Sequence, residues 1–260
     1  MDEIIRVRNS SYDRYEKLLM RRDELRKEAS LINMNYIKEF GSLILNVFQK
    51  KMECIKKKKA IAFYQAALNR GEAMDPEALK KYLELEMASY RKQLEAMAEE
   101  NRRANEMKMI TELEVLEIKK LYRKLAKQLH PDINPMTAEN PDLNTLWNRI
   151  VMAYDCNSLK DLKELEVLAG KALEQMGCGI IEIDIPDIEL KMEEVEAEIT
   201  NILETDPYQY RYILEDPERK AQKKADLQGE FDRYADYEAE LDAALEKMML
   251  DGGGILWRLN

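Results

Sequence analysis

Apolar residues recur at spacings of three and four along most of this chain, the period of a helix with one buried face. The pattern is clearest on either side of His130-Pro131-Asp132. Before it, Ile118, Leu121, Tyr122, Leu125 and Leu129 form one stripe; after it, Leu143, Leu146, Trp147, Ile150 and Tyr154 form another. Proline cannot continue a helix and disfavours helical backbone in the residue before it, so the chain turns at His130-Pro131. Asn140-Pro141 reads as an N-cap followed by proline at the first helical position. These features predict a helical hairpin with facing stripes and the His-Pro-Asp tripeptide displayed in the connection.

Further stripes extend an all-α picture. Tyr12, Tyr15 and Leu19 share a face, with Ser10 or Ser11 as cap. Ile37, Phe40, Ile44, Val47, Phe48, Met52 and Ile55 follow, then less regularly Ile61, Tyr64 and Leu68, up to a stop at Asn69-Arg-Gly71. Asp75-Pro76 opens another helix, in which Leu83, Met87, Tyr90, Leu94 and Met97 repeat as a coiled-coil seam. The seam lapses across 101–106. Thr111-Glu-Leu-Glu114 fits a capping box, so either one long helix runs into the hairpin or it breaks near 101–111.

Beyond the hairpin, Asn157-Ser158 caps a stripe of Leu162, Leu165, Leu168 and Leu173, which Gly177 and Gly179 end. Ile181, Ile183 and Ile185 alternate with acids, as one short strand or an extended linker. Two more seams flank a tyrosine-rich corner at Tyr208, Tyr210 and Tyr212. One is Ile188, Met192, Val195, Ile199 and Ile202; the other is Leu227, Phe231, Tyr234, Leu241, Leu245 and Met248, with Glu238 in its gap. Together they predict an antiparallel coiled-coil hairpin. The expected organisation is an N-terminal helical region (1–74), a connecting helix (75–110), the His-Pro-Asp region (111–166), a linker (167–186), the coiled-coil hairpin (187–250) and a tail (251–260). In the tail, Ile255-Leu-Trp257 is expected to dock on its own protein.

Composition narrows the class. The 260 residues are 45% hydrophobic and 35% charged, with nine glycines and seven prolines, which suits long helices with wet faces. Cys54, Cys156 and Cys178 have neither CxxC spacing nor a disulfide-rich context, and a reducing cytoplasm is the expected setting. No signal-peptide pattern and no membrane-length apolar run is visible. His130 is the one histidine. It lacks the neighbours a catalytic triad or a metal site requires, and no glycine-rich phosphate loop occurs. The expectation is a protein that is not an enzyme, with no cofactor and no metal.

The net charge is −10, yet Lys120, Arg123, Lys124 and Lys127 lie at i, i+3, i+4 and i+7 on the outer face of the helix before the tripeptide. That local reversal of sign points to an acidic partner surface. The run Lys56 to Lys59 points round a whole helix and reads as solvated surface; nucleic-acid binding is not expected from it.

The segment from Ile118 to Asp132, with Tyr122 eight residues before the histidine and Trp147, Ile150 and Ala153-Tyr154 beyond it, resembles helix II, loop and helix III of the J domain of DnaJ-type co-chaperones. The family's short helix I, with its tyrosine-rich approach and Leu-Gly turn, does not precede it. Nor do the glycine/phenylalanine-rich linker and cysteine-rich zinc domain of full DnaJ occur. The resemblance implies docking of His130, Pro131, Asp132, Lys120, Arg123, Lys124 and Lys127 on a DnaK-type chaperone of the seventy-kilodalton heat-shock class, whose ATP hydrolysis the J domain promotes. Flanking helices would then bind an unknown client or a second copy. The rival reading is a structural coiled-coil adaptor that keeps an inactive J-like hairpin for packing.

Overall fold

The computed structural model describes residues 10–72, 75–106, 111–175 and 187–251. All regular structure among them is helical, as the periodicity predicts. The stretch 181–185, read as one short strand or an extended linker, the glycine stop at 177–179 and the apolar tail lie outside the described residues.

Local sequence sets most of the helix ends. Helix α1 spans Ser10–Arg70 and joins the first two stripes into one element. It stops where Gly71 takes a left-handed backbone (φ 68°), which lets Gly71 and Glu72 donate back to the carbonyls of Leu68 and Ala67. Helix α2 (Pro76–Glu86) starts on Asp75, whose carboxylate accepts from the amides of Glu77 and Ala78. Met87 separates it from α3 (Ala88–Glu106). Helix α4 (Glu112–Leu129) begins with the reciprocal Thr111–Glu114 capping box, so the run from Pro76 to His130 is not one helix. Helix α5 (Pro135–Glu139) is a short element that the hydrophobic pattern does not announce. Helices α6 (Pro141–Asp155), α7 (Leu159–Gln175) and α8 (Ile188–Glu204) follow, then a 3-10 turn at Tyr208–Tyr210, α9 (Arg211–Leu214) and α10 (Pro217–Asp251).

The chain divides into two compact units that are not contiguous in sequence, unlike the expected run of segments. One contains residues up to 31 and from 108 to 209; the other contains 32–107 and the chain from 210 onward.

In the first unit, α4, α6 and α7 pack on one another. Ile118, Tyr122, Leu125 and Leu129 of α4 share one core with Leu143, Leu146, Trp147, Ile150 and Tyr154 of α6 and Leu162 and Leu165 of α7. Leu125, Leu129 and Ile150 have no exposed surface, and burying each such side chain contributes roughly 1.5–3 kcal/mol. Tyr12, Tyr15, Leu19 and Met20 of α1 join this core, as do Met192 and Val195 of α8.

In the second unit, α10 lies along α1. Tyr36, Phe40 and Val47 cluster with Leu227, Phe231 and Tyr234, and Ala60 clusters with Leu245 and with Leu79 and Leu83 of α2. Positions rise together on the two helices, so the pair is parallel. Its register is marked by Glu238, the polar break in the α10 seam, which accepts from Lys50 at 2.7 Å and Lys57 at 2.8 Å. Gly41 allows close approach of α3, since a side chain there would strike Asn101.

The antiparallel hairpin of residues 187–250 is thereby corrected. The α8 stripe is buried in the first unit and the α10 stripe in the second, each on a different stretch of α1. Periodicity states that a seam exists, not which seam faces it. The lysine run is corrected as well: Lys57 meets Glu238 and Asp242, Lys59 meets Glu86 at 2.5 Å and Lys56 lies 3.7 Å from Glu53.

Candidate functional site

The site is the turn that closes α4, built by its own polar groups. The carbonyl of His130 accepts from the amides of Ile133 (2.9 Å) and Asn134 (2.7 Å). The Nδ1 atom of His130 accepts from the amide of Asp132 at 3.1 Å. Asn134 ties the turn at both ends, donating from Nδ2 to the carbonyl of Gln128 and accepting from the amide of Met136 as the cap of α5. Asn134-Pro135 is the same cap-and-proline signal as Asn140-Pro141, and could have been found by it.

The tripeptide is not evenly displayed. His130 is buried, against Trp147 at a ring separation of 4.8 Å, while the Asp132 side chain is 46% exposed. The other ring nitrogen, Nε2, lies 3.4 Å from the Arg22 guanidinium and 3.7 Å from the carboxylate of Asp23. Burial lowers the His130 pKa; Asp132 and Asp23 oppose that shift, and Arg22 and Arg26 add to it. Tyr122 stacks on Tyr154 at 3.8 Å and donates its hydroxyl to Asp23 at 2.8 Å. Burial, reinforced by Asp23, raises its pKa far above the ordinary phenol value.

Residues of α1 complete the site, and local sequence carried no signal for them. Arg22 donates to Asp23 at 3.0 Å, approaches Asp132 to 3.9 Å and Glu198 of α8 to 3.6 Å. Lys27 donates to the carbonyl of Tyr154, with its ammonium 3.8 Å from that ring's centroid. Burial lowers its pKa to about 8, against the pull of Asp155. Between α1 and the turn lies a cleft of about 470 Å³, lined by Arg22, Arg26, Tyr122, His130, Asp132 and Trp147 among others.

The cations nominated on α4 are placed on one side but are not bare. Arg123 pairs with Glu24 at 2.5 Å, Lys127 with Glu16 at 2.7 Å and Lys124 with Glu166 of α7 at 2.8 Å; Lys120 is exposed. Among the described residues no cluster of histidine, cysteine or acidic side chains is arranged to hold a metal, and no helix is long and apolar enough to cross a membrane.

A core of α4 and α6 joined through a His-Pro-Asp turn makes this part of the chain a J-domain-like region, and comparison with known proteins agrees. Over 63 residues, 24% of this chain, the sequence is 40% identical to Chaperone protein DnaJ 2 of Streptomyces avermitilis. It is 38% identical over 63 residues to Chaperone protein DnaJ 2 of Mycobacterium tuberculosis. The match spans 16% and 15% of those relatives' lengths. No family model matches the chain, and no solved structure does.

Proposed function

We propose that this chain is a J-domain co-chaperone that binds a DnaK-type chaperone and stimulates its ATP hydrolysis without reacting itself. The observation that carries this reading is the turn: Asp132, half-exposed on a backbone fixed by Pro131 and by the His130 ring, beside a helix face bearing four cations. A carboxylate so held is suited to a charge-assisted hydrogen bond with a basic group. The cations of α4 suit steering toward an acidic surface, an attraction that weakens as salt rises. The second unit, with its parallel α1–α10 pair, is the candidate for binding client or a second copy.

Single-turnover ATP hydrolysis by the DnaK-type chaperone of the same cell tests this. Stimulation by the wild type that Asp132→Asn removes and added salt weakens is the expected result. A folded wild type that neither binds nor stimulates that chaperone would overturn it and favour the adaptor reading. What speaks for the adaptor is that three of the four α4 cations already have carboxylate partners within the chain.

A further inference from the structure

The face proposed to meet the chaperone carries its own internal competitor. We propose that acidic residues of α1, Glu16 and Glu24, damp docking of the chaperone by occupying the α4 cations, so that the partner exchanges ion pairs instead of finding bare charges. This inference rests on the co-chaperone reading above.

The pairing is complementary in sign at each end of the face. Carboxylates of α1 meet cations of α4, Glu24 with Arg123 at 2.5 Å and Glu16 with Lys127 at 2.7 Å. A guanidinium of α1, Arg22, stands 3.9 Å from the one exposed carboxylate of the tripeptide. An acidic partner surface with a basic group aimed at Asp132 would use these same contacts. The helix itself cannot leave at low cost, because Tyr12, Tyr15 and Leu19 are in the core. The exchange therefore takes place at side chains. Exposure favours this: Glu16 and Glu24 are 6% and 13% exposed, whereas Lys127 and Arg123 are 49% and 53% exposed and accessible from solvent. The cations stay half-exposed and open to a competing carboxylate, so these ion pairs attenuate binding without forbidding it.

The test uses the full chain with Glu16→Gln and Glu24→Gln together, isosteric changes that keep shape and remove charge. Affinity for the DnaK-type chaperone and stimulation of its ATP hydrolysis are measured at several salt concentrations, with helicity and melting followed by circular dichroism. The double variant should bind roughly threefold to tenfold more tightly than wild type, with a steeper loss of affinity as salt rises. A purely structural role for the two acids would lower the melting temperature and leave the salt slope unchanged. If the double variant does not fold, Glu24→Gln alone carries the same comparison. A folded variant with wild-type or weaker affinity and an unchanged salt slope overturns the inference while leaving the co-chaperone reading intact. Absence of binding by every folded chain, wild type included, removes that reading and this inference with it.

Discussion

The hydroxyl of Tyr122 donates to the carboxylate of Asp23 at 2.8 Å, across 99 positions of sequence. One side chain in the middle of α4 is thus fixed to α1. The same carboxylate holds Arg22 and faces the His130 ring, so it links the turn, the helix before it and the N-terminal helix. Tyr122→Phe removes the donor and nothing else. It should lower stability by about 1.5–3 kcal/mol, the usual worth of a hydrogen bond to a charged group. Urea unfolding measures this, and Asp23→Asn combined with it should be less than additive.

Trp147 is 7% exposed and packs against both Tyr122 and His130. Trp147→Ala should cost about 3–5 kcal/mol through lost burial and the space left behind. A denaturation midpoint close to wild type would show that the turn does not depend on this packing.

His130 gives a pH dependence whose sign is fixed. Burial lowers its pKa, so below the ordinary value near 6.5 the unfolded chain binds the proton more readily than the folded one. Stability is full above that value and declines as pH falls below it toward the depressed one. His130 is the only histidine, and unfolding curves between pH 7.5 and 5.5, roughly the histidine range, isolate the effect. His130→Gln should flatten the decline.

Lys27 acts in a higher range with the same logic. Its pKa is lowered to about 8 from 10.5. Between those values the unfolded chain holds more protons, so stability gains with rising pH. Compared with Lys27→Met at matched pH, the wild type should improve between about pH 8 and 9.5. Parallel curves for the two proteins would remove Lys27 as the cause.

Glu238 tests the second unit. Burial pushes its carboxyl pKa up, but hydrogen bonds from Lys50 and Lys57 outweigh that and hold it below the usual range. Glu238→Ala should cost about 2 kcal/mol, since it leaves two ammonium groups without this acceptor. The wild type should lose that advantage as pH falls through the carboxylate range, and thermal unfolding at pH 7 and pH 3.5 would show whether it does.

What the sequence made legible was local. Asp75-Pro76, Thr111 with Glu114, Asn140-Pro141 and Gly71 each mark a helix end, because a cap is decided by residues within one turn. The stripes on α4 and α6 likewise state which side chains go inside. Pairing between distant stripes was not legible. Met192 and Val195 belong to a seam of the same three-and-four periodicity as Leu227 and Phe231, yet they serve different cores. The site shows the same division. The backbone of the His-Pro-Asp turn follows from Pro131, whereas Arg22, Asp23 and Glu24 reach it through a fold that brings α1 back over α4.

The division of α1 between two units has a consequence during synthesis. Residues 10–31 wait for α4, α6, α7 and α8 before their core can close, and the cluster of Tyr36, Phe40 and Val47 waits for α10. On a ribosome that emits the chain from its N-terminus, neither unit is complete when only the first half has emerged. The last helices made complete the two cores: α8 contributes Met192 and Val195 to the first unit, and α10 contributes Leu227 and Leu245 to the second.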